Sequence, residues 1–178
     1  MHDEPVSVAV NTKPPCRTAL AALVIMRLAL ATWVGAAVLF VVTSIAEQRF
    51  PEFNSTVRDH LATIRFPFYY ATGTACCTAA LASGVLCRSL DPRLTAALLL
   101  TTLASIVLAL DYWFVYSPLQ QSIIPPGQPR TDRFTQLHNL SRNVNSLHHL
   151  LILTAAVLTV LPLKSHRDPK SAGRSFGI

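Results

Sequence analysis

The feature that most constrains the fold is the long apolar run at residues 19–46, in which Arg27 is the only charged residue. About 20 apolar residues in a helix span the ~30 Å hydrocarbon core of a bilayer. The apolar part of a cleaved signal peptide is only about 7–15 residues long, so this run is too long for one. We therefore predict a retained membrane helix at 18–46, with Arg27 at the headgroups, where its long side chain reaches water at little cost.

Three further apolar segments, at 66–86, 93–117 and 132–162, are each long enough to cross a bilayer. Hydrophobic residues make up 51% of the chain and charged residues only 13%, which is too apolar for an ordinary soluble domain of this size. The predicted fold class is all-α, a four-transmembrane-helix bundle with both termini on the same side. This membrane domain covers 18–163, between a flexible N-terminal tail at 1–17 and a basic disordered C-terminal tail at 164–178.

Proline and polar residues predict the connections between these helices. Residues 47–65 are predicted to form a polar connection with a short surface helix at 53–64. The second helix is predicted to open at Phe66, with Pro67 in the first turn, where proline is tolerated. The third helix is predicted to end at Ser117-Pro118, and the last to begin with Thr131 or Asp132 as its N-cap.

The formal net charge of +6 comes from basic residues that are scattered over the tails and loops beside the apolar runs. This distribution favours membrane lipids as partners over nucleic acid. Lys and Arg are more numerous on the side of the termini than on the opposite side, which predicts cytoplasmic termini. Small residues in the second helix, such as Gly73, Ala75 and Ala79, allow close helix contact, and a homo-oligomer stays open.

Polar residues in the first half of the last helix share one face. At about 100° per residue, five of them fall within roughly ±60° of one direction: His138, Ser141, Arg142, Asn145 and His149. Tyr69 and Tyr70 open the second helix on the same side of the bilayer, and Asp111 lies near the end of the third. Together these side chains predict a polar mouth at one end of the bundle.

Asp111 is an ionisable residue at membrane depth, where an unpaired carboxylate is costly. We therefore predict that Asp111 pairs with Arg142 or His149. The alternative is that the polar residues only hold the helices together, since hydrogen bonds from Asn, Ser and His between membrane helices contribute roughly 0.6–2 kcal/mol each. The tyrosines also suit an aromatic belt at the membrane surface.

No sequence motif indicates an enzyme, because GxSxG, HExxH, GxGxxG and Walker-type glycine loops are all missing from the sequence. Haem is the obvious cofactor for histidines in a four-helix membrane bundle, but His138, His148 and His149 share one helix. His138 and His149 are about 16 Å apart along its axis, too far to grip one iron. Adjacent cysteines at 76 and 77 point to different faces and make a poor copper site. We expect no cofactor, no metal and no enzymatic activity.

Four segments together resemble the transmembrane protein 205-like family over roughly residues 23–161: Thr32-Trp33-Val34-Gly35, Phe66-Pro67-Phe68-Tyr69-Tyr70, the stretch from Asp111 to Pro118, and Phe134-x-x-Leu137-His138-x-x-Ser141-x-x-x-Asn145. The resemblance implies a small four-helix integral membrane protein whose activity is not established. The chain departs from the family pattern at Asp111, where asparagine is more usual, and at Ser146, where leucine is more usual. Both departures make the mouth more polar.

A fainter likeness links Trp33-Val34-Gly35 to the copper-resistance D family and to small four-helix membrane protoporphyrinogen oxidases. Those proteins place a histidine before the Trp-x-Gly segment, whereas this chain has Arg27 and no histidine in that helix. The likeness therefore carries no haem ligand to this chain.

The expected function is that of an integral membrane protein that binds or passes a small solute or ion through the polar mouth of the third and fourth helices. Two alternatives remain open: a haem-linked membrane oxidoreductase and a non-catalytic membrane assembly partner.

Overall fold

The computed structural model describes residues 16–163, so most of the two predicted tails lies outside the described residues. Within this range the chain is helical and contains no strand. Its elements are α1 (Arg17–Arg49), α2 (Ser55–Cys87), a 3₁₀ turn (Arg88–Leu90), α3 (Pro92–Asp111), a π-helical turn (Tyr112–Tyr116), α4 (Ser117–Gln121) and α5 (Asp132–Val160). The prediction of an all-helical chain is confirmed.

Four helical segments are long and apolar enough to cross a membrane: Arg17–Arg49, Ser55–Leu90, Pro92–Gln121 and Asp132–Val160. Large apolar side chains lie on their outer surface, with Leu28 62%, Leu39 64%, Leu99 65% and Phe114 71% exposed. A water-soluble chain of this size rarely leaves so many large apolar side chains on its outside. The exterior is therefore compatible with a multi-pass membrane protein.

The helix α2 is longer than predicted. It begins at Ser55, where the side chain of Asn54 accepts a hydrogen bond from the Val57 N–H at 3.0 Å and caps the helix. Pro67 consequently lies in the helix interior, and the predicted helix start at Phe66 is wrong. The polar turns before Pro67 are stabilised by a buried side chain. Asp59 is 2% exposed and binds the loop that precedes α5.

The third long helical segment has an irregular end. Asp91 caps α3 by accepting from the Arg93 N–H at 2.8 Å, with Pro92 in the first turn. At the other end, the N–H of Ser117 donates to the carbonyl of Tyr112, five residues back, which makes a wide π-helical turn. The helix then continues to Gln121, so the predicted end at Ser117-Pro118 is wrong. Pro118 lies at the start of α4, directly after the π-helical turn.

The helix α5 begins as predicted, with the Thr131 hydroxyl accepting from the Phe134 N–H at 3.2 Å. The irregular loop before it is fixed to α2. The N–H of Gly127 donates to Asp59 at 2.9 Å, and Arg130 forms an ion pair with the same carboxylate. Gly127 has a φ of 87°, and a Cβ there would meet the Thr56 hydroxyl at 2.5 Å, so this close approach needs glycine.

Arg27 lies near the other end of the bundle. Its Nε donates to the Thr159 carbonyl at 2.6 Å. That carbonyl belongs to the last turn of α5, where the helix leaves acceptors without intrahelical partners. A cation is also favourable at a helix C-terminus. Arg27 thus connects α1 to the end of α5.

The four long helices form a closed bundle, in which α1 and α3 each pack against both α2 and α5. Small residues at the contacts let the helices approach closely. At Gly73, an added Cβ would lie 2.7 Å from the ring of Trp33 and 3.1 Å from Leu108. Trp33 itself is 1% exposed, so α2 passes directly over a buried indole. This packing positions the polar residues described next.

Candidate functional site

A chain of hydrogen bonds runs through the bundle around Asp111. The Tyr70 hydroxyl donates to Oδ2 of Asp111 at 2.5 Å, and Nδ2 of Asn145 donates to the same oxygen at 3.1 Å. Nδ2 of Asn145 also donates to the carbonyl and the hydroxyl of Ser141, at 3.0 and 3.1 Å. Residues from α2, α3 and α5 therefore meet at one carboxyl group.

Asp111 is 1% exposed, yet its other oxygen, Oδ1, has no hydrogen-bond partner. Among the described residues, Asp111 forms no ion pair with Arg142 or His149. The predicted pairing of Asp111 with Arg142 or His149 is therefore wrong. Its partners are neutral side chains instead, because Arg142 is exposed on the outside of α5 and His149 binds elsewhere.

Tyr69 joins this network from a neighbouring position. Its hydroxyl donates to Oδ1 of Asn145 at 3.0 Å and lies 2.9 Å from Nε2 of His149. A hydroxyl has one proton, so His149 donates through Nε2. Tyr69 is 7% and Tyr70 4% exposed, which places both inside the bundle and not in the aromatic belt that their sequence position also suited.

Trp33 and His148 form a second buried polar contact beside the Asp111 network. The indole N–H of Trp33 donates to Nε2 of His148 at 2.8 Å, and Nδ1 of His148 lies 3.0 Å from the Ala104 carbonyl. Because Nε2 accepts, Nδ1 carries the proton and donates, so His148 is the neutral Nδ1–H form. Both ring nitrogens are occupied by protein partners, which leaves no lone pair for a haem iron.

The end of the bundle where the α1–α2 connection meets the loop before α5 contains a cavity of about 430 Å³. Its charged lining comes from Glu47, Arg58, Asp59, Arg65 and Arg130. Its apolar and aromatic lining includes Phe66, Tyr116, Leu119, Ile123 and Phe134. We call this space the outer cavity.

The hydroxyl of Tyr116 connects the two regions. Tyr116 lines the outer cavity, and its ring packs on that of Tyr70 with centroids 4.7 Å apart. The ring is 4% exposed, and its hydroxyl has no hydrogen-bond partner. The outer cavity therefore ends one ring away from the Asp111 network.

The structure brings together six of the eight candidate residues: Tyr69, Tyr70, Asp111, Ser141, Asn145 and His149. His138 lies apart from them, stacked on Phe134 at the wall of the outer cavity. Arg142 is exposed. The sequence prediction missed Trp33 and Tyr116 and did not select His148, although Trp33 was noted for its motif and the histidine for haem.

Within residues 16–163, no group of three His, Cys, Asp or Glu side chains converges to hold a metal ion. The chemistry of the network is that of neutral hydrogen bonds around one carboxyl group. Comparison with family models, with curated proteins and with solved structures finds no match for this chain.

Proposed function

We propose that the protein is an integral, multi-pass membrane protein with both termini on the cytoplasmic side, and that it binds or passes a small solute or ion through the mouth between the third and fourth spans. It acts without a covalent reaction, and its surroundings are membrane lipids. Membership of the transmembrane protein 205-like family belongs to this proposal and rests on the sequence motifs alone.

The observation that carries the proposal is the state of Asp111. An unpaired carboxylate in a low-dielectric interior costs several kcal/mol. Two neutral donors reach Oδ2 while Oδ1 is left without a partner. A proton or a small cation at Oδ1 would supply the partner that this oxygen lacks within the protein. A residue that only holds helices together does not need an oxygen without a hydrogen-bond partner, and asparagine would serve as well in that role.

The local backbone supports a functional role. Asp111 is the last residue of α3, directly before the π-helical turn. Such turns are less regular than α-helix and often occur at functional sites. The hydrogen-bonded chain of Tyr70, Asp111, Asn145 and Ser141 offers several polar groups in succession, which is the arrangement that proton and ion pathways use within membranes.

Flux through reconstituted liposomes tests the proposal. Purified protein is reconstituted into vesicles, and proton and K⁺ fluxes are measured after a pH jump or a K⁺ gradient. The variant Asp111→Asn keeps the size of the side chain and removes its ionisable group, so we expect at least a ten-fold fall in the flux that the wild type supports.

The matched control is Asp132→Asn, the same chemical change at an exposed position in the first turn of α5. Its flux should equal that of the wild type. Wild-type vesicles no more permeable than protein-free ones, or equal fluxes for Asp111→Asn and wild type, would count against the proposal.

A further inference from the structure

The outer cavity contains more positive charge than its own carboxylates neutralise. Arg65 is paired with Glu47 at 2.5 Å, and Arg130 is paired with Asp59. Arg58 has no carboxylate partner among the described residues and reaches only the Phe50 carbonyl, at 3.5 Å. One guanidinium charge at the cavity is therefore left over.

Three donors on residues that line this cavity have no hydrogen-bond partner. They are Nε of Arg58, Nε of Arg65 and the hydroxyl of Tyr116, each atom shielded from solvent. Tyr116 is the strongest observation, because the whole residue is 4% exposed. Buried donors are nearly always satisfied in folded proteins, so three around one space point to an acceptor that occupies it. An oxyanion accepts from guanidinium and hydroxyl donors alike.

The rest of the wall is unsuited to a free, fully hydrated ion. Phe66, Leu119 and Ile123 give the cavity an apolar side, and the ring of Phe134 lies under Arg130 at 4.3 Å. A volume of about 430 Å³ falls within the ~300–1,000 Å³ range of small-molecule sites. The space thus combines an anion-binding side with an apolar side.

We propose that the outer cavity binds an amphiphilic anion: a phosphate group held by Arg58 and Arg65, with the attached apolar chain against Phe66 and Leu119. An anionic phospholipid and a free phosphate share the headgroup chemistry, and the apolar wall favours the lipid. The inference goes beyond the proposed function, because none of the three unpartnered donors hydrogen-bonds to Asp111.

Native mass spectrometry of the full-length protein in an uncharged detergent tests the site. The probes are phosphatidylglycerol, phosphatidylcholine with the same acyl chains, and inorganic phosphate, each titrated separately. We expect one phosphatidylglycerol to bind more tightly than phosphatidylcholine, and inorganic phosphate to bind weakly. Arg58→Gln should weaken the phosphatidylglycerol complex at least ten-fold, and Arg58→Lys should recover part of that loss.

The matched control is Arg49→Gln, which removes the same charge from an exposed residue close in the chain that does not line the cavity. It should leave binding unchanged. Tyr116→Phe removes one hydroxyl and should weaken binding less than Arg58→Gln, and it tests the site independently if Arg58→Gln does not fold.

Equal losses in Arg58→Gln and Arg49→Gln would overturn the site in favour of general charge attraction. Equal binding of phosphatidylcholine would show that the negative charge of the lipid is not recognised. Tight binding of inorganic phosphate would show that the apolar chain is not required. Because binding is measured without flux, Asp111→Asn distinguishes this inference from the proposed function: it should leave phosphatidylglycerol binding intact even where it abolishes flux.

Discussion

The hydrogen bond from Trp33 to His148 joins α1 to α5 at a site that excludes water, since both residues are 1% exposed. Each partner depends on the other, because removing one leaves a buried polar atom unsatisfied. The ring of Trp33 also contacts that of Tyr69, with centroids 4.9 Å apart. One indole thus links the His148 pair to the Asp111 network.

Replacing Trp33 with phenylalanine should destabilise the protein by about 1–3 kcal/mol for the unsatisfied Nε2 of His148 alone. Unfolding in detergent, followed by circular dichroism, measures this. The control is Trp113→Phe, because Trp113 is 68% exposed and its loss should change stability by at most about 0.5 kcal/mol. Equal effects of the two substitutions would show that the buried hydrogen bond contributes nothing measurable.

Sequence patterns located Asp111 correctly as a buried polar residue in need of partners but assigned it the wrong ones. Charge complementarity favoured Arg142 and His149, whereas the fold supplies Tyr70 and Asn145. Whether an arginine on a helix points inward depends on the orientation of the helix. Periodicity alone does not set that orientation when apolar residues cover every face of the second half.

The orientation of α5 can be compared with the predicted polar stripe. Its buried residues are Ser141, His148, Ile152, Ala155 and Thr159. At about 100° per residue, their mean direction lies about 60° from that of the stripe. Arg142 was therefore placed inside and His148 was left out. Small residues among the large apolar ones, Ala155 and Thr159, carried the missing signal, because small side chains mark close helix contacts.

At the level of elements, the contact between α1 and α2 depends on Gly73. A Cβ there would meet two ring atoms of Trp33 at 2.7 Å, and this indole is buried in the core. Glycine is otherwise a poor helix residue. Its presence here reflects the space that the indole requires.

Gly73→Ala should therefore destabilise the protein by about 1–3 kcal/mol through overpacking, even though alanine favours the helix. Gly35→Ala is the matched control, since nothing lies within 4 Å of the added Cβ. It should be neutral or stabilising by up to about 1 kcal/mol. Denaturant unfolding of both variants under one condition measures the difference; a loss of stability at Gly35 equal to that at Gly73 would refute the packing argument.

The helices themselves were predictable where apolar runs and caps agree, as at Thr131, but not where polar residues are buried. The polar turns of α2 before Pro67 were predicted as a short surface helix at 53–64, separate from the second long helix, because their composition suits a surface. In the structure Asp59 is buried and satisfied by Gly127 and Arg130, more than 60 residues later in the chain. Local sequence holds no record of such distant partners, and the chance of a helix through Pro67 was accordingly underestimated.

At the level of the whole molecule, the proposed topology places the N-terminal end of α1 and the loop before α5 on opposite sides of the membrane. Cys16 is exposed, and hydrogen bonds from Thr18 lower the pKa of its thiol, which raises the fraction of the reactive thiolate. In intact bacterial cells, a membrane-impermeant maleimide should label Cys16 only after permeabilisation. The variant Cys16→Ser/Gln128→Cys, with its new thiol in the exposed loop, should be labelled without it.

Both proteins share the other three cysteines, of which Cys77 and Cys87 are buried, so background labelling is the same in each. Labelling of Cys16 in intact cells together with protection at position 128 would reverse the proposed orientation. Labelling of both positions in intact cells would contradict the three spans that the proposed topology places between them.

The all-helical class and the four long apolar helices followed from length and hydropathy, because a chain that exposes apolar residues on every helix has few other ways to satisfy its backbone. The candidate site could be predicted from the sequence only in part. Its candidate residues come from α2, α3 and α5, and their distances depend on how the helices rotate about their axes. The outer cavity was not predicted, since it forms only once the α1–α2 connection meets the loop before α5.

The number of residues in the π-helical turn at Tyr112–Tyr116 determines which side chains form the wall of the outer cavity. In a regular α-helix, a residue five positions on lies about 140° around the axis, which would turn Tyr116 away from the side of Asp111. The wider turn keeps both buried. Deleting a single residue between Tyr112 and Tyr116 would restore ordinary helical winding. Side chains that now form the cavity wall would then turn to the outer surface, although no residue that lines the cavity would have been replaced.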